Sequence, residues 1–352
     1  MSEKMAGSFL VGLALAAAAV AASASCTSPP PDLLFVSIQD GDNEVYVMRA
    51  DGSGRKQLTR NKSEDLEAAW SPDGSRIAFG SNRDGNFEVY VMNADGTRQT
   101  RLTSQPAPDY SPQWSPDGSR IAFISHRDGN PEAYVMNADG TGVTRLTDTP
   151  QAGEVGPRWS PDGSWLALTS SVGRTSDIWV VGSDGAGPRN LINSSERESS
   201  PEWSPDGTRI AFHSLEREGN ADIYLMRPDG SGKVRLTDAP QFDSFPLWSP
   251  DGSRILFTST RDGIRQEVYV MNADGSNQTR LTNNDLEDFQ PAWWPDGSRI
   301  AFIRFTEGNA EVFIMKADGS GQTRLTRNQV NDAQPYPRPV LARGSKAGRT
   351  EQ

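Results

Sequence analysis

Cysteine, histidine and positive charge are all scarce in this chain of 352 residues. The single cysteine excludes an internal disulfide, and two histidines, His126 and His213, are too few for a zinc site of clustered histidines. Lysine and arginine total 35 against 46 aspartate and glutamate residues, for a formal charge of -11. Such a chain lacks the basic surface that dominates affinity for nucleic acid, so we expect no nucleic-acid partner.

Glycine and proline are abundant instead, with 33 and 24 residues. Both residues interrupt regular structure, so their frequency favours many short strands and turns over a helical bundle. The hydrophobic fraction of 35% is low for one large core. It suits a series of small, repeated cores.

The N-terminus has the pattern of an export signal. Residues 5–25 are apolar or small and follow Lys4, and Cys26 comes directly after them. This arrangement resembles a bacterial lipoprotein, although Ser23 stands where such proteins favour leucine. We therefore predict a signal peptide over 1–25, lipidation of Cys26 and a linker over 26–32, with the membrane contacted only through the lipid. Plain secretion after cleavage near Ala24 is the alternative.

A repeat of about 44 residues organises the rest of the chain. The pentapeptide WSPDG begins at Trp70, Trp114, Trp159, Trp203 and Trp248 and returns as WWPDG at Trp293. This period is typical of four-stranded propeller blades. Within one unit, SPDG and NADG are turn signals, and residues 120–125 and 132–136 between them are rich in β-branched and aromatic residues.

Counting each element separately predicts how the ring closes. The apolar strand after WSPDG and the Asp-Gly turn each occur seven times, whereas the tryptophan strand occurs only six times. Residues 332–337, DAQPYP, align with 288–293, DFQPAW, and supply a seventh inner strand. We therefore predict an all-β propeller over 33–340, with seven blades or alternatively six, closed by its C-terminal strand and followed by a disordered tail over 341–352.

The segments WSPDGSRIAF, EVYVMNADG and TRLT resemble the WD40-like (PD40) propeller repeat of the TolB-like family. The resemblance implies a propeller and export to the bacterial periplasm or cell envelope. TolB itself places an α/β domain before a six-bladed ring, whereas here we expect only a short linker. Because of these two departures, the resemblance leaves membership of the Tol-Pal system open. Similar propellers precede the catalytic domains of prolyl oligopeptidase and dipeptidyl peptidase relatives, and we expect no such domain after residue 340.

Motifs for catalysis and cofactor binding are weak. No Gly-x-Ser-x-Gly elbow occurs, the Gly-Ser-Gly pieces lie in turns, and the two histidines do not share a register. Residues 40–44, DGDNE, hint at a calcium loop, but a hairpin turn explains them as well. We predict no cofactor and no metal site, with Ca²⁺ as the one candidate.

An acidic residue stands five positions before each tryptophan of the repeat and at the matching place in the closing strand. The seven are Asp65, Asp109, Glu154, Glu198, Asp243, Asp288 and Asp332. One interpretation is a negative ring at the channel mouth that attracts cations or basic side chains of a partner. The other is structural, each carboxylate accepting loop N–H groups or pairing with an arginine such as Arg83, Arg127, Arg217 or Arg261.

Four aromatic residues break the repeat beside these acids, namely Tyr110, Phe242, Phe245 and Phe289. Aromatics at a charged mouth are common anchors of protein recognition, although they can also plug the channel. Our hypothesis is a monomeric, non-enzymatic, exported scaffold that recognises an envelope protein or peptide at the acidic channel face. The alternatives are a lactonase- or lyase-like enzyme with a carboxylate-held divalent metal, and a glycan-binding module.

Overall fold

The alternation of apolar residues within each repeat produces short antiparallel strands joined by tight turns. The computed structural model describes residues 32–39, 41–215 and 219–339, and in these it contains 28 strands and no helix. The SPDG turns close as expected: the Gly74 N–H donates to Ser71 O at 2.7 Å, and the Ser71 hydroxyl donates to Asp73 Oδ1 at 2.6 Å. The prediction of an all-β chain is confirmed.

Each repeat supplies four strands, which we name a to d from the inside of the ring outward. The inner strands a are β4 (Asp65–Trp70), β8 (Asp109–Trp114), β12 (Gly153–Trp159), β16 (Arg197–Trp203), β20 (Asp243–Trp248), β24 (Glu287–Trp293) and β28 (Asp332–Pro337). The strands b are β1 (Leu33–Ser37), β5 (Arg76–Ser81), β9 (Arg120–Ser125), β13 (Trp165–Val172), β17 (Ile210–Leu215), β21 (Arg254–Ser259) and β25 (Arg299–Phe305).

The outer strands follow in the same order around the ring. The strands c are β2 (Glu44–Met48), β6 (Glu88–Asn93), β10 (Glu132–Asn137), β14 (Thr175–Gly182), β18 (Ala221–Met226), β22 (Glu267–Asn272) and β26 (Ala310–Lys316). The two-residue strands d are β3 (Lys56–Gln57), β7 (Thr100–Arg101), β11 (Thr144–Arg145), β15 (Arg189–Asn190), β19 (Val234–Arg235), β23 (Thr279–Arg280) and β27 (Thr323–Arg324).

These strands form four-stranded antiparallel units, the blades. Five sheets have four strands, and a sheet of eight consists of two such units joined by one parallel bridge between Ser176 and Arg197. The described residues therefore form seven four-stranded units. Blade 1 contains β28, β1, β2 and β3; blade 2 contains β4 to β7, and the numbering continues to blade 7, which contains β24 to β27.

The C-terminal strand completes the N-terminal blade. In blade 1, β28 pairs antiparallel with β1, with Leu33 opposite Pro337 and Ser37 opposite Asp332. The alignment of DAQPYP with DFQPAW predicted this pairing, and the structure confirms it. Strand β28 is the inner edge strand of its sheet and has a neighbouring strand on one side only. Its prolines therefore break no hydrogen-bond ladder on the side that has no neighbour.

Hydrophobic clusters between neighbouring blades hold the ring together. Trp248 of blade 6, for example, packs against Ala211 and Ile223 of blade 5. Its indole N–H donates to Glu202 O at 3.2 Å, and the Arg209 guanidinium lies over its ring at 4.8 Å. The repeated tryptophans are therefore core residues: four are buried, and Trp159 and Trp293 are half-buried.

Several predictions concern residues outside the described ranges. These are the signal segment 1–25, Cys26 and nearly all of its linker, the tail 341–352, Asp40 of the acidic turn, and Arg217. Within the described ranges, no helix has the length and apolar character needed to cross a membrane.

Candidate functional site

The seven predicted acids lie at one level of the ring, and none of them is exposed to solvent. In three blades the arginine of the b–c turn neutralises the acid. Arg83 lies 2.9 Å from Asp65, and Arg127 lies 2.9 Å from Asp109. Arg261 lies 2.6 Å from Asp243. These three ion pairs are among those expected if the acids have a structural role.

Three further blades place a cation against the acid from other positions in the chain. Arg304 of strand β25 contacts Asp288 at 2.6 Å. Lys233 approaches Glu198 at 3.6 Å, and Arg55 approaches Asp332 at 3.9 Å. Burial raises the pKa of Glu198 and of Asp332, and the nearby cation opposes the shift in each case. Glu154 of blade 4 has no cation partner among the described residues.

The prediction of a negative ring at the channel mouth therefore needs correction. All seven carboxylates, Asp65, Asp109, Glu154, Glu198, Asp243, Asp288 and Asp332, are buried within their own blades, and six face a cation. A buried carboxylate without a partner is costly, so the fold covers each one instead of displaying it. The repeat alone does not show which side chains cover these acids, so it is equally compatible with exposed and buried carboxylates.

A second set of buried carboxylates was not predicted. Each strand c has an acid at or near its first residue, and this acid faces strand d. In blade 2, Glu88 accepts a hydrogen bond from Arg101 at 2.5 Å and one from the Thr103 hydroxyl at 2.6 Å. The same pair of donors serves Glu132, Asp222, Glu267 and Glu311. The signal was present in the sequence: an arginine follows the acid by 13 residues and a threonine by 15.

Each inner strand also bulges two residues after its acid. The backbone there is left-handed, with φ between 48° and 61°, at Glu67, Ser111, Gly156, Ser200, Phe245, Gln290 and Gln334. Each bulge coincides with the register shift between strands a and b. Six of these residues are not glycine, so the backbone is strained at about 1 kcal/mol or more per residue. Bulges of this kind re-aim side chains, here toward the centre of the ring.

On one side of the ring the bulge residues form a hydrogen-bonded chain between blades. The Gln334 N–H donates to Gln290 Oε1 at 2.9 Å, and the Glu67 N–H donates to Gln334 Oε1 at 2.9 Å. The Ser111 N–H then donates to Glu67 Oε2 at 2.6 Å. A long polar side chain in one blade therefore caps the bulge N–H of the next blade. We call this side the sealed half of the channel.

On the other side, the side chains of the bulge residues cannot continue this chain. Ser111, Gly156 and Ser200 are too short, and Phe245 has no acceptor. Consequently, among the described residues, the bulge N–H groups of Gly156, Ser200, Phe245 and Gln290 receive no side-chain acceptor from the preceding blade. These four residues all line one cavity of about 610 Å³, which we call the open half of the channel.

The open half combines apolar surface with a few polar groups. Phe245 is 52% exposed, and Phe289, Pro246 and Leu247 line the same cavity. A neighbouring cavity of about 560 Å³ shares Gly156, Arg158, Glu202 and Leu247 with it and reaches Glu67 and Gln334 of the sealed half. The two cavities are therefore parts of one central channel.

One ion pair crosses the channel wall between blades 4 and 5. Arg158 Nε lies 3.2 Å from Glu202 Oε2. Desolvation inside the channel raises the pKa of Glu202, and the Arg158 guanidinium opposes this shift. Desolvation also raises the pKa of Tyr336, which lines the channel on the sealed side.

Comparison with known families identifies the repeat. Residues 15–105, 69–154 and 154–334 match the family described as TolB beta propeller domain. The chain belongs to the TolB beta propeller family. A protein named Protein TolB homolog from Chlorobium luteolum is 46% identical over 48 residues, which is 14% of this chain and 11% of that protein. The matched segment therefore spans only a small part of this relative.

Solved structures agree on the fold. TolB from Acinetobacter baumannii superimposes with a TM-score of 0.59 at 22% identity, over 76% of this chain and 68% of that chain. An oligogalacturonate lyase in complex with manganese superimposes with a TM-score of 0.66 at 18% identity, over 80% of this chain and 85% of that chain. At such identities the likeness extends to the propeller alone, because binding and catalytic proteins share it.

In this TolB-like propeller, the four predicted aromatics separate into two groups. Phe245 and Phe289 meet in the open half of the channel. Tyr110 does not join them, because its hydroxyl lies 3.0 Å from His126 Nε2. Phe242 is 44% exposed but lies outside the described channel cavities.

His213 lies next to the open half. Its Nε2 is 2.8 Å from Ser199 Oγ, and its ring meets Phe245 edge-on at 5.4 Å. Burial lowers the pKa of His213 to about 4, so the ring is neutral at pH 7. Its Nδ1 has no hydrogen-bond partner among the described residues, so no carboxylate completes a Ser-His-acid triad there.

The predicted calcium loop and the metal alternative can be placed only in part. Glu44, at the end of the DGDNE turn, is buried and accepts the Asn61 N–H at 2.7 Å, while Asp40 lies outside the described ranges. In the ranges that are described, no group of three histidine, cysteine, aspartate or glutamate residues has an arrangement that could hold a metal ion.

Proposed function

We propose that this TolB-like propeller is a non-enzymatic binding scaffold that captures a protein or peptide segment in the open half of its channel. The observation that carries the proposal is the difference between the two halves. In the sealed half, side chains of the protein already accept the bulge N–H groups. In the open half, no side chain of the described residues accepts the four equivalent N–H groups, so a ligand can supply the acceptor.

The chemistry of the sealed half indicates what the open half accepts. There the acceptors are glutamine amide oxygens and a glutamate carboxylate oxygen. A peptide segment offers the same oxygens, from its backbone or from glutamine and glutamate side chains. Phe245 and Phe289 supply the apolar contact that anchors such a segment beside the N–H groups. We therefore propose a peptide segment that brings acceptor oxygens together with an apolar side chain.

The ion pairs made by the buried carboxylates favour binding over catalysis. A lactonase- or lyase-like activity requires carboxylates that are free to hold a metal or to transfer a proton. Six of the seven inner acids face arginine or lysine inside their blades instead. The channel pair, Arg158 and Glu202, neutralises itself in the same way.

The cellular setting is part of the same proposal. The apolar segment 5–25, the following Cys26 and membership of the TolB-like family support export to the periplasm or cell envelope, with a lipid anchor at Cys26. The partner proposed is accordingly an envelope protein or peptide, bound by a monomer.

Alanine variants of the channel aromatics test the proposal. Purified Phe245→Ala/Phe289→Ala should lose the partner that the wild-type protein captures from native envelope extract. Phe242→Ala is the matched control, because this side chain is also exposed but does not line the open half. The wild type should capture its partner equally in the presence of a metal chelator. The proposal would be contradicted if the double variant captured the partner as well as Phe242→Ala does. It would also be contradicted if the chelator abolished capture by the wild type.

A further inference from the structure

Among the described residues, six of the seven blades hold a cation in the same place, and blade 4 holds none there. In blade 2 this place is filled by Arg83, whose Nε donates to Ser81 Oγ at 2.8 Å. Its guanidinium contacts both oxygens of Asp65 at 2.9 Å. It also lies over the rings of Phe79 and Tyr90, at 5.4 and 4.8 Å. We call this position, bounded by the inner acid, the serine and the two rings, the cation slot.

The slot attracts a cation from whichever chain position supplies one. Arg127 and Arg261 fill it from the b–c turn, as Arg83 does. Arg304 fills it from strand b, and both Arg55 and Lys233 fill it from the residue directly before strand d. Because three chain positions deliver a cation to the same surroundings, those surroundings themselves select for positive charge.

Blade 4 keeps the acid, the serine and one aromatic ring of the slot, with Leu168 in the place of Phe79, but lacks both of the cations that occur in blade 2. Ser170 and Trp179 take the places of Ser81 and Tyr90, and Val172 stands where the turn supplies Arg83. In strand d, Asn190 replaces the arginine that holds the second acid, so Asp177 accepts from the Asn190 amide at 2.9 Å.

A cavity of about 420 Å³ occupies this position. Its walls include Thr149, Ser170, Val172, Asp177, Trp179 and Asn190. Trp179 is half-buried, whereas the equivalent rings Tyr90 and Tyr134 are 4% exposed beneath their arginines. Trp179 lines the cavity, and no cation of the described residues lies over its ring, so the aromatic surface that binds a cation in the other blades is accessible here.

Behind the cavity lies the acid of blade 4. Glu154 is fully buried, and its Oε1 accepts from the hydroxyls of Thr149 and Ser170, both of which line the cavity, at 2.7 and 2.9 Å. Its Oε2 has no hydrogen-bond partner among the described residues. A buried carboxylate normally requires a cation or a full set of donors. Glu154 has neither among the described residues, and the cavity lies where the cation lies in the other blades.

We propose that the cavity of blade 4 binds the guanidinium group of an arginine side chain presented by a peptide or protein ligand. The bound group stacks on Trp179, donates to Ser170 Oγ and faces the carboxylates of Glu154 and Asp177. A guanidinium suits this site because its planar donors match a carboxylate while its face covers an aromatic ring. The site goes beyond the proposed function: no residue of its wall lines the open half of the channel, so either site can exist without the other.

The simplest probe is N-acetyl-L-arginine amide, which carries one guanidinium and no other charge. N-acetyl-L-citrulline amide has nearly the same shape without the charge and serves as the matched ligand control. Titration calorimetry should show saturable binding of the arginine compound and binding of the citrulline compound weaker by about tenfold or more. Equal binding of the two compounds, or no saturable binding up to about 10 mM arginine compound, would overturn the proposal.

Two variants locate the site. Val172→Arg returns an arginine to the place it has in blade 2 and should abolish binding by filling the slot from within. Val172 is 51% exposed, so this change should not disturb folding. At pH 8, Glu154→Gln should weaken binding by about tenfold, because it removes the charge of the ionised carboxylate and preserves the shape. Full binding by Val172→Arg would overturn the assignment, and Phe245→Ala should bind the arginine compound like the wild type.

Discussion

Among single residues, Glu154 departs furthest from its counterparts in the repeat. Burial raises its pKa to about 7, while the hydroxyls of Thr149 and Ser170 oppose this shift and the nearby Glu132 adds to it. Asp177 lines the adjacent cavity, and Arg145 is committed to Glu132. Glu154 is therefore a carboxyl group that the folded protein prefers to keep protonated.

This preference sets the sign of a pH effect on stability. An unfolded glutamate titrates near pH 4.5, so between about 4.5 and 7 the folded protein binds more protons than the unfolded chain. The contribution of Glu154 to the free energy of unfolding is therefore most favourable at low pH and declines as the pH rises through 7. Above that pH the loss is complete.

Replacing the acid by its amide should remove this decline. We expect Glu154→Gln to be more stable than the wild type at pH 8, by on the order of 1 to 3 kcal/mol, and no more stable at pH 4.5. Urea unfolding of both proteins across this range measures the difference. Stability curves that run parallel from pH 4.5 to 8 would show that Glu154 is not a destabilising buried charge.

The sequence predicted the position of the inner acids but not their environment. Their spacing from each tryptophan placed them at one level of the ring, and the structural alternative included the partners Arg83, Arg127 and Arg261. It did not include Arg55, Lys233 and Arg304, because these cations reach the acids from other strands. Which side chains cover a loop depends on the packing of neighbouring elements, and that packing has no local pattern.

At the scale of elements, the strands and turns were predictable and the bulges were not. Alternating apolar residues between Pro-Asp-Gly and Ala-Asp-Gly turns specify strands b and c locally. The bulge depends on the register between strands a and b, and residues as different as Glu67, Ser200 and Phe245 occupy it. No residue preference marks it, so only the pairing of the strands reveals it.

Removing one member of the hydrogen-bonded chain tests the role of the bulges. Gln334→Ala deprives the Glu67 N–H of its acceptor, so we expect the free energy of unfolding to fall by about 1 to 2 kcal/mol. Ser200→Ala is the matched control, because Ser200 occupies the same bulge position in the open half and accepts no N–H from the next blade. Equal losses for the two variants in urea unfolding would contradict the distinction between the halves.

For the whole molecule, closure of the ring couples the two ends of the described chain. The pairing of β28 with β1 was predictable, since the repeat supplies six tryptophan strands for seven apolar strands and the Gln-Pro match identifies the missing one. Which half of the channel is open was not predictable. That property arises from four bulge residues that are distant in sequence and adjacent in the ring.

Truncation tests the closure. A chain ending before Asn331 loses β28 and leaves β1 with a free edge, so it should lose solubility or melt at a much lower temperature. A chain lacking only residues 347–352 should melt like the full chain. Unchanged melting of the shorter protein would mean that blade 1 does not depend on its C-terminal strand.

Capture of a partner by the open half is most directly tested by photo-crosslinking from inside the channel. A benzophenone amino acid replaces either Phe245, which is 52% exposed in the open half, or Tyr336, which is 39% exposed on the sealed side. After illumination in native envelope extract, we predict a discrete adduct from position 245 and none from position 336. The same adduct from both positions, or an adduct from position 336 alone, would contradict the assignment of the open half as the binding site.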